Sequence, residues 1–508
     1  MEPIGYIIGE TTTTKLSILC NEPPNVGGYV SIKYNYKKND NNNGKEENTK
    51  EIIGMIESVS YGNPIFEEVL NTEDILKLKN LEDSSSYYII CRIKILGDVK
   101  NKEIPKIPPK PGTEVYEASE DILKRMFSNG HIEIGTLLTN NIPVKLDVNK
   151  LCSRHLAILA ITGMGKSNTV AHLLSELNKL NGTVLIFDVH GEYKHIESYN
   201  ENNELRINII EPQINIYNIG YDSFCNLAGV DSQATKQRPY IRRAIKEVKS
   251  KYREGDFNSC EEYIKEIIST LQDYIEDNKK DKDSIETAIF RLEDMLNFKG
   301  HIIRLHYNPI DKIREGYINI VPLEELDEGD MDTIVSYFTK EILADRKKAL
   351  RNNDPKPIFL IFEEAHLLIP QNRDTKSKIY ISRIAREGRK FGIGLCLVSQ
   401  RPKTLDQESL SQCNNMIISK LIEPNDQSHV QHASESLSED LLKQLPGLNI
   451  GEAIILGPAI SIPAIVKIHK FNGTYGGEDI PIVDIWKNNS KNRYSDKDIL
   501  TIDDDELD

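Results

Sequence analysis

Residues 160–167 read Ala160-Ile161-Thr162-Gly163-Met164-Gly165-Lys166-Ser167, and their reading decides the fold. Before them His155–Ile161 is a continuous apolar run, as a strand buried on both faces requires. After them Val170, Leu173, Leu174, Leu177 and Leu180 fall on one helical face, and Gly182 stands where that helix should stop. Strand, glycine-bearing turn and helix in this order are the context of a phosphate-binding loop. Backbone N–H groups around Gly163–Ser167 can wrap a polyphosphate, and the helix N-terminus adds positive partial charge. The candidate nucleotide-binding set is Thr162, Gly163, Met164, Gly165, Lys166, Ser167 and Asn168. Lys166 would reach the β- and γ-phosphates of ATP, and the Ser167 hydroxyl would bind Mg²⁺. The first position of the GxxxxGK[ST] pattern is Ala160 rather than glycine. A methyl group there costs little where φ is negative.

Such a loop needs an acidic partner on a second strand. Ile358-Phe-Leu-Ile-Phe362 followed by Glu363-Glu364-Ala365-His366 supplies it. Glu363 would complete the Mg²⁺ shell and Glu364 would polarise the attacking water, since phosphoryl transfer needs positioning and charge neutralisation above all. Thr183–Asp188 is another apolar strand with a polar end, and Asp188 and Glu192 could face nucleotide or metal. Further on, Leu395-Cys-Leu-Val-Ser399-Gln400 ends in an amide suited to sensing the γ-phosphate. Arg386 and Arg389 precede that strand and are arginine-finger candidates, because a planar guanidinium stabilises charge on the transferring phosphoryl group.

Working outward, apolar strands alternate with amphipathic helices from about residue 151, the signature of an α/β domain with a mostly parallel sheet. That core is expected over 151–220 and 298–476, with a charged helical insertion at 221–297. Residues 1–104 carry short runs rich in Ile, Val and Tyr separated by turn clusters, which predicts a small β-barrel. The run at 40–44 reads as a hairpin tip. Pro105, Pro108, Pro109 and Pro111 read as a stiff connector, and 105–150 as connector plus β extension. Residues 477–508 end in an acidic tail.

The composition is that of a soluble globular chain, with 39% hydrophobic and 28% charged residues among 508. Neither a signal peptide nor a run long enough to span a bilayer is evident, so a soluble, intracellular protein with no membrane partner is expected. Seven scattered cysteines without a CxxC pair argue against zinc and disulfide scaffolds. The net charge of −15 is uneven. Residues 251–300 and 477–508 carry −5 and −6 of it, which leaves room for a local basic channel elsewhere.

These motifs together resemble the HerA family of hexameric DNA translocases and helicases, in the HerA–FtsK branch of P-loop ATPases. The matching stretches are TGMGKSNT (162–169), FDVHGEY (187–193), EEAH (363–366), REGRKFG (386–392) and SQRP (399–402), with LPGL (445–448) and GEAIILG (451–457) behind them. Ala160 and Met164 depart from the family's usual Gly and Ser. The resemblance implies a fold: a RecA-like P-loop ATPase core with a helical insertion, preceded by an N-terminal HAS barrel, and a C-terminal brace on the neighbouring subunit. It implies an ATP- and Mg²⁺-dependent enzyme that acts on double-stranded DNA as a homo-oligomer, a hexamer in the family. It also implies a nuclease partner of NurA type in DNA end resection, or another effector in anti-phage defence. Cytoplasmic, nucleoid-associated localisation follows. Arg154 becomes a nucleotide-sensing candidate by the same analogy, and Arg373, Lys376 and Lys378 are DNA-contact candidates just after the acidic strand. Two other readings compete. A membrane-tethered DNA pump is disfavoured by the missing transmembrane segment, and a non-catalytic ring scaffold by the intact Lys166 and Glu364.

Overall fold

The computed structural model describes residues 2–38, 46–64, 75, 87–200, 203–434, 436–477, 481–483 and 485–487. The hairpin tip expected at 40–44 and the tail from 488 onward lie outside the described residues.

The first six strands form a closed barrel. They are β1 (Gly5–Ile8), β2 (Lys15–Cys20), β3 (Tyr29–Lys38), β4 (Glu46–Gly62), β5 (Tyr88–Asp98) and β6 (Glu114–Glu117), in the order β1-β2-β5-β4-β3-β6. Alternate residues point inward, so Leu16, Ile18 and Cys20 of β2 join Ile32, Ile52, Ile93 and Val115 in the barrel core. Here the expected boundary changes. Strand β6 lies inside the segment read as a connector, yet it pairs with both β1 and β3. Without it those two strands would be open edges, with unpaired N–H and C=O groups. The other strands of that segment, β7 (Ile132–Leu137) and β8 (Pro143–Leu146), belong to the main sheet.

That sheet has eleven strands among the described residues. Its remaining members are β9 (Leu156–Leu159), β10 (Val184–Asp188), β11 (Ile207–Ile209), β12 (Ile318–Pro322), β13 (Ile358–Phe362), β14 (Ile393–Ser399), β15 (Asn415–Ile418), β16 (Glu452–Leu456) and β17 (Ala464–Ile468). The order is β11-β12-β10-β13-β14-β9-β15-β16-β17-β7-β8. Strands β11 to β15 along this order run parallel, and the rest continue antiparallel. The central strands are buried along their whole length, which explains their unbroken apolar sequence.

The helices that matter below are α1 (Lys166–Lys179), α2 (Tyr221–Leu227), α3 (Gln237–Lys251), α4 (Cys260–Asp277), α5 (Lys282–Lys299), α6 (Glu328–Arg351) and α7 (Lys376–Glu387). Helices α2 to α5 make up the insertion. Helix α7 ends at Glu387 and tightens into a 3₁₀ turn over Gly388–Phe391. Beyond 477, the described residues 481–483 and 485–487 expose Ile482, Val483, Ile485 and Trp486.

The strand order sets up the site. Strand β14 lies between β9 and β13, so the ends of three neighbouring strands deliver Thr162, Gln400 and Glu364 to one sheet edge. Adjacent strands are about 4.8 Å apart. A residue on β14 therefore bridges the other two.

Candidate active site

The loop after β9 turns on two glycines in the left-handed region, Gly163 (φ 78°) and Gly165 (φ 91°). Side chains rarely adopt that region, so both positions need glycine. Ala160 is fully buried and not among the residues with positive φ, and its N–H donates to the Ser399 carbonyl at 3.3 Å. Its methyl group is accommodated. Met164 packs inward, and its carbonyl accepts from the Gly451 N–H at 3.3 Å. Thus the GEAIILG stretch braces the loop from outside.

Lys166 opens α1 and is 5% exposed. Its ammonium is hydrogen-bonded to Glu364 Oε1 and lies 3.7 Å from Glu363 Oε1. Glu364 is the hub of the site. The Gln400 amide donates to the same Oε1 at 2.8 Å, and His366 Nδ1 lies 3.2 Å from the other oxygen. Thr162 donates to Gln400 in turn, which closes a chain from the loop through the amide to the carboxylate. Glu364 sits at φ 41°, a left-handed conformation that costs a non-glycine residue about 1–2 kcal/mol. Burial alone would raise its pKa. The His366 hydrogen bond and the Lys166 charge outweigh burial and hold the carboxyl at about 2, fully ionised at neutral pH.

Glu363 has the opposite environment. It is 1% exposed, and burial pushes it well above the usual carboxylate range; Lys166 opposes this and Asp188 adds to it. Asp188 is raised too, again by burial first. The Asp188 carboxylate accepts from the Glu192 N–H at 3.0 Å and the Tyr193 N–H at 2.8 Å, so it holds the turn after β10 in shape. Around it, the Glu363 oxygens, Glu192 Oε2 and the Tyr193 hydroxyl are buried without hydrogen-bond partners among the described residues. Unsatisfied buried oxygens are costly and need a reason. Their concentration beside Ser167 fits a Mg²⁺–water cluster on a bound nucleotide. They do not form a ready-made cage, because no group of three or more ligating side chains converges among the described residues. A cation held mainly by phosphate oxygens, Ser167 and water meets both observations.

Several expected residues stand elsewhere. The Asn168 side chain bonds the His469 carbonyl and the Phe471 N–H, at 2.9 and 2.8 Å, and so pins the C-terminal segment instead of facing the loop. Arg154 ends the short helix before β9, and Arg386 and Arg389 precede β14. All three sit at the sheet edge opposite the phosphate-binding loop. The seven residues of β14 separate the two edges by roughly 20 Å. None of these arginines reaches its own chain's nucleotide site. Arg386 pairs with Glu408 at 2.7 Å, whereas Arg389 is exposed and has no salt bridge among the described residues. The DNA-contact candidates also divide. Arg373 is exposed beside Glu328. Lys378 is tied to Asp406 at 3.1 Å. The Lys376 ammonium is buried without a hydrogen-bond partner among the described residues, and burial lowers its pKa to about 8. Lys376 and Lys378 are therefore not presented to a ligand.

Two histidines were not singled out in the sequence. His366 shares Glu364, as described. His155 accepts from the Leu395 N–H on Nδ1 and faces the Ala385 carbonyl with Nε2, both at 3.1 Å, which joins β9 to β14 and to the end of α7. Its sequence context, a histidine before an apolar strand, carries no signal of that role.

A lysine-bearing phosphate loop, an ionised glutamate two strands away and an amide on the strand between define a P-loop ATPase. The sequence profile of the family described as "Helicase HerA, central domain" matches residues 132–342, and that of the "HAS barrel domain" matches residues 4–101. "Probable helicase MJ1565" of Methanocaldococcus jannaschii is 60% identical over 96% of this chain and 94% of that protein. "DNA double-strand break repair helicase HerA" of Sulfurisphaera tokodaii is 38% identical over 95% of this chain and 96% of that protein. The chain belongs to the HerA helicase family and is an ATP-hydrolysing helicase. Among solved structures, VirB4 of Thermoanaerobacter pseudethanolicus superposes with a TM-score of 0.48 at 15% identity, over 70% of this chain and 98% of that one.

Proposed function

We propose that the protein is an ATP-driven translocase of double-stranded DNA, assembled as a homo-oligomeric ring of six chains. One observation carries the ring: the hydrolytic residues Lys166 and Glu364 occupy one sheet edge, and Arg389, with no salt bridge among the described residues, occupies the other. A head-to-tail ring brings these edges together, so one chain's Arg389 completes its neighbour's site. Arg154 at the same far edge then senses the neighbour's nucleotide. Within one site, Lys166 neutralises the β- and γ-phosphates, Glu364 accepts a proton from the attacking water, and Gln400 couples loss of the γ-phosphate to β14. Ser167 and Glu363 would hold Mg²⁺, which when bound would supply charge neutralisation at the phosphates.

DNA as the cargo is supported by the relatives named as double-strand break repair helicases. Those relatives are named for double-strand break repair, and the proposal extends this to end resection with a nuclease of NurA type as the partner. We place the protein in the cytoplasm, on the nucleoid. Among the described residues no helix is long and apolar enough to cross a membrane. Displacement of a triplex-forming strand from a linear duplex tests the proposal. ATP-dependent displacement that Lys166→Ala abolishes is the expected result. Binding of duplex without displacement would refute translocation.

A further inference from the structure

The insertion is electrically split. Residues 236–253, which include α3, hold eight Lys/Arg and one Asp/Glu, a net of +7. Residues 254–299, which include α4 and α5, hold six and thirteen, a net of −7. On α4 Lys265 pairs with Glu261, and on α5 Lys282 pairs with Glu286, each one turn away. On α3 the only acid, Glu247, is taken by Lys251 and the Tyr274 hydroxyl. Arg242, Arg243, Lys246 and Arg253 remain exposed, without salt bridges among the described residues. Arg242 and Lys246 are four apart, Arg243 and Lys246 three apart, so like charges face one another along the helix, which is destabilising. The Arg242 and Arg243 guanidinium groups rest on the rings of Tyr221 and Tyr274, 5.1 and 4.5 Å from the centroids. Such contacts limit their freedom before any ligand arrives.

The position of α3 gives the charge a direction. Arg238 in its first turn pairs with Asp222 at 3.2 Å, and the buried Lys376 lies among the same two side chains. Lys376 opens α7, directly after the loop that carries the exposed Arg373. The first turn of the basic helix thus lies beside Lys376 at the start of α7, next to the loop that follows the catalytic strand. On a chain of net charge −15, this is a local positive patch.

We propose that this face of α3 binds the phosphate backbone of duplex DNA, without reading sequence, as a contact outside the ATPase core. This rests on the DNA reading above. A polyanion relieves the repulsion along α3, and exposed arginines suit phosphate oxygens.

The test is the salt dependence of binding to a duplex of arbitrary sequence. The full-length protein is compared with a variant carrying Arg242→Ala, Arg243→Ala, Lys246→Ala and Arg253→Ala. A second variant, with the three arginines replaced by lysine, keeps the charge. Each lost phosphate contact lowers the slope of log K against log[salt] by about 0.9, so a loss of roughly 2–4 in slope and at least tenfold in affinity is expected for the alanine variant. ATPase turnover without DNA and ring mass stay unchanged, and the lysine variant keeps most of the slope. An alanine variant with the parental slope overturns the inference. So does one that no longer forms rings, since α3 would then meet the acidic helices of a neighbouring copy. A parent that binds no duplex overturns the DNA reading and this inference together.

Discussion

Replacing Glu364 by glutamine should tighten ATP binding while stopping hydrolysis. Lys166 is hydrogen-bonded to the Glu364 carboxylate. Nucleotide binding must break that contact before the ammonium can reach the phosphates. A hydrogen bond to a charged group contributes about 1.5–3 kcal/mol net. Glutamine keeps the shape and the Gln400 contact but loses the charge, so Lys166 is released at much lower cost. The gain corresponds to a Kd for ATP roughly 10- to 100-fold lower, at about 1.4 kcal/mol per factor of ten. Glu363 remains 3.7 Å from the same ammonium, so the lysine is not left without a carboxyl neighbour and the fold survives. Turnover falls by ~10²–10⁴, the range for a removed general base. Equilibrium titration with a fluorescent ATP analogue, beside steady-state turnover, reads both effects. Glu364→Gln binding no tighter than the parent would refute the Lys166–Glu364 latch, even if hydrolysis were lost.

Arg389→Ala should keep ring and nucleotide but lose ~10³-fold in turnover, and mixing it with Lys166→Ala should restore partial activity, read by titrating one variant into the other. No recovery at any ratio, with subunit exchange shown by fluorescence, places Arg389 outside the neighbouring site. Burial lowers the His155 pKa from 6.5 to about 4, so the unfolded chain binds this proton first as the pH drops. Its neutral ring therefore stabilises fully above pH 6.5, and about 3 kcal/mol is lost as the pH falls from 6.5 through 4. His155→Asn should flatten that part of the stability-versus-pH curve measured by denaturant titration. Tyr193 is fully buried against Ser167 and Glu363, so Tyr193→Phe should keep the fold and raise several-fold the Mg²⁺ needed for half-maximal nucleotide binding. An unchanged Mg²⁺ titration would separate Tyr193 from the metal shell.

The parts of the site built by contiguous sequence were legible before the structure. The phosphate loop, the β13 carboxylates and Gln400 each end an apolar strand, and strand ends of a parallel sheet converge on one edge. Closure of the barrel by β6 was not legible, because four residues decide it through pairing with β1 and β3, more than 80 positions earlier. Burial of Lys376 was equally hidden, since α2 and α3 cover it from about 140–150 residues upstream. A lysine at a helix start reads as solvated when its neighbours in space are unknown. Arg389 was legible as chemistry, but its distance from its own phosphate loop follows only from the direction of β14.

The most direct measurement is steady-state ATP turnover by the purified full-length protein, with and without long linear duplex DNA, beside Lys166→Ala. The parent should hydrolyse ATP, duplex should raise its kcat, and Lys166→Ala should show neither activity. A parent that binds ATP but turns it over no faster than Lys166→Ala, whether duplex is present or not, would contradict the account.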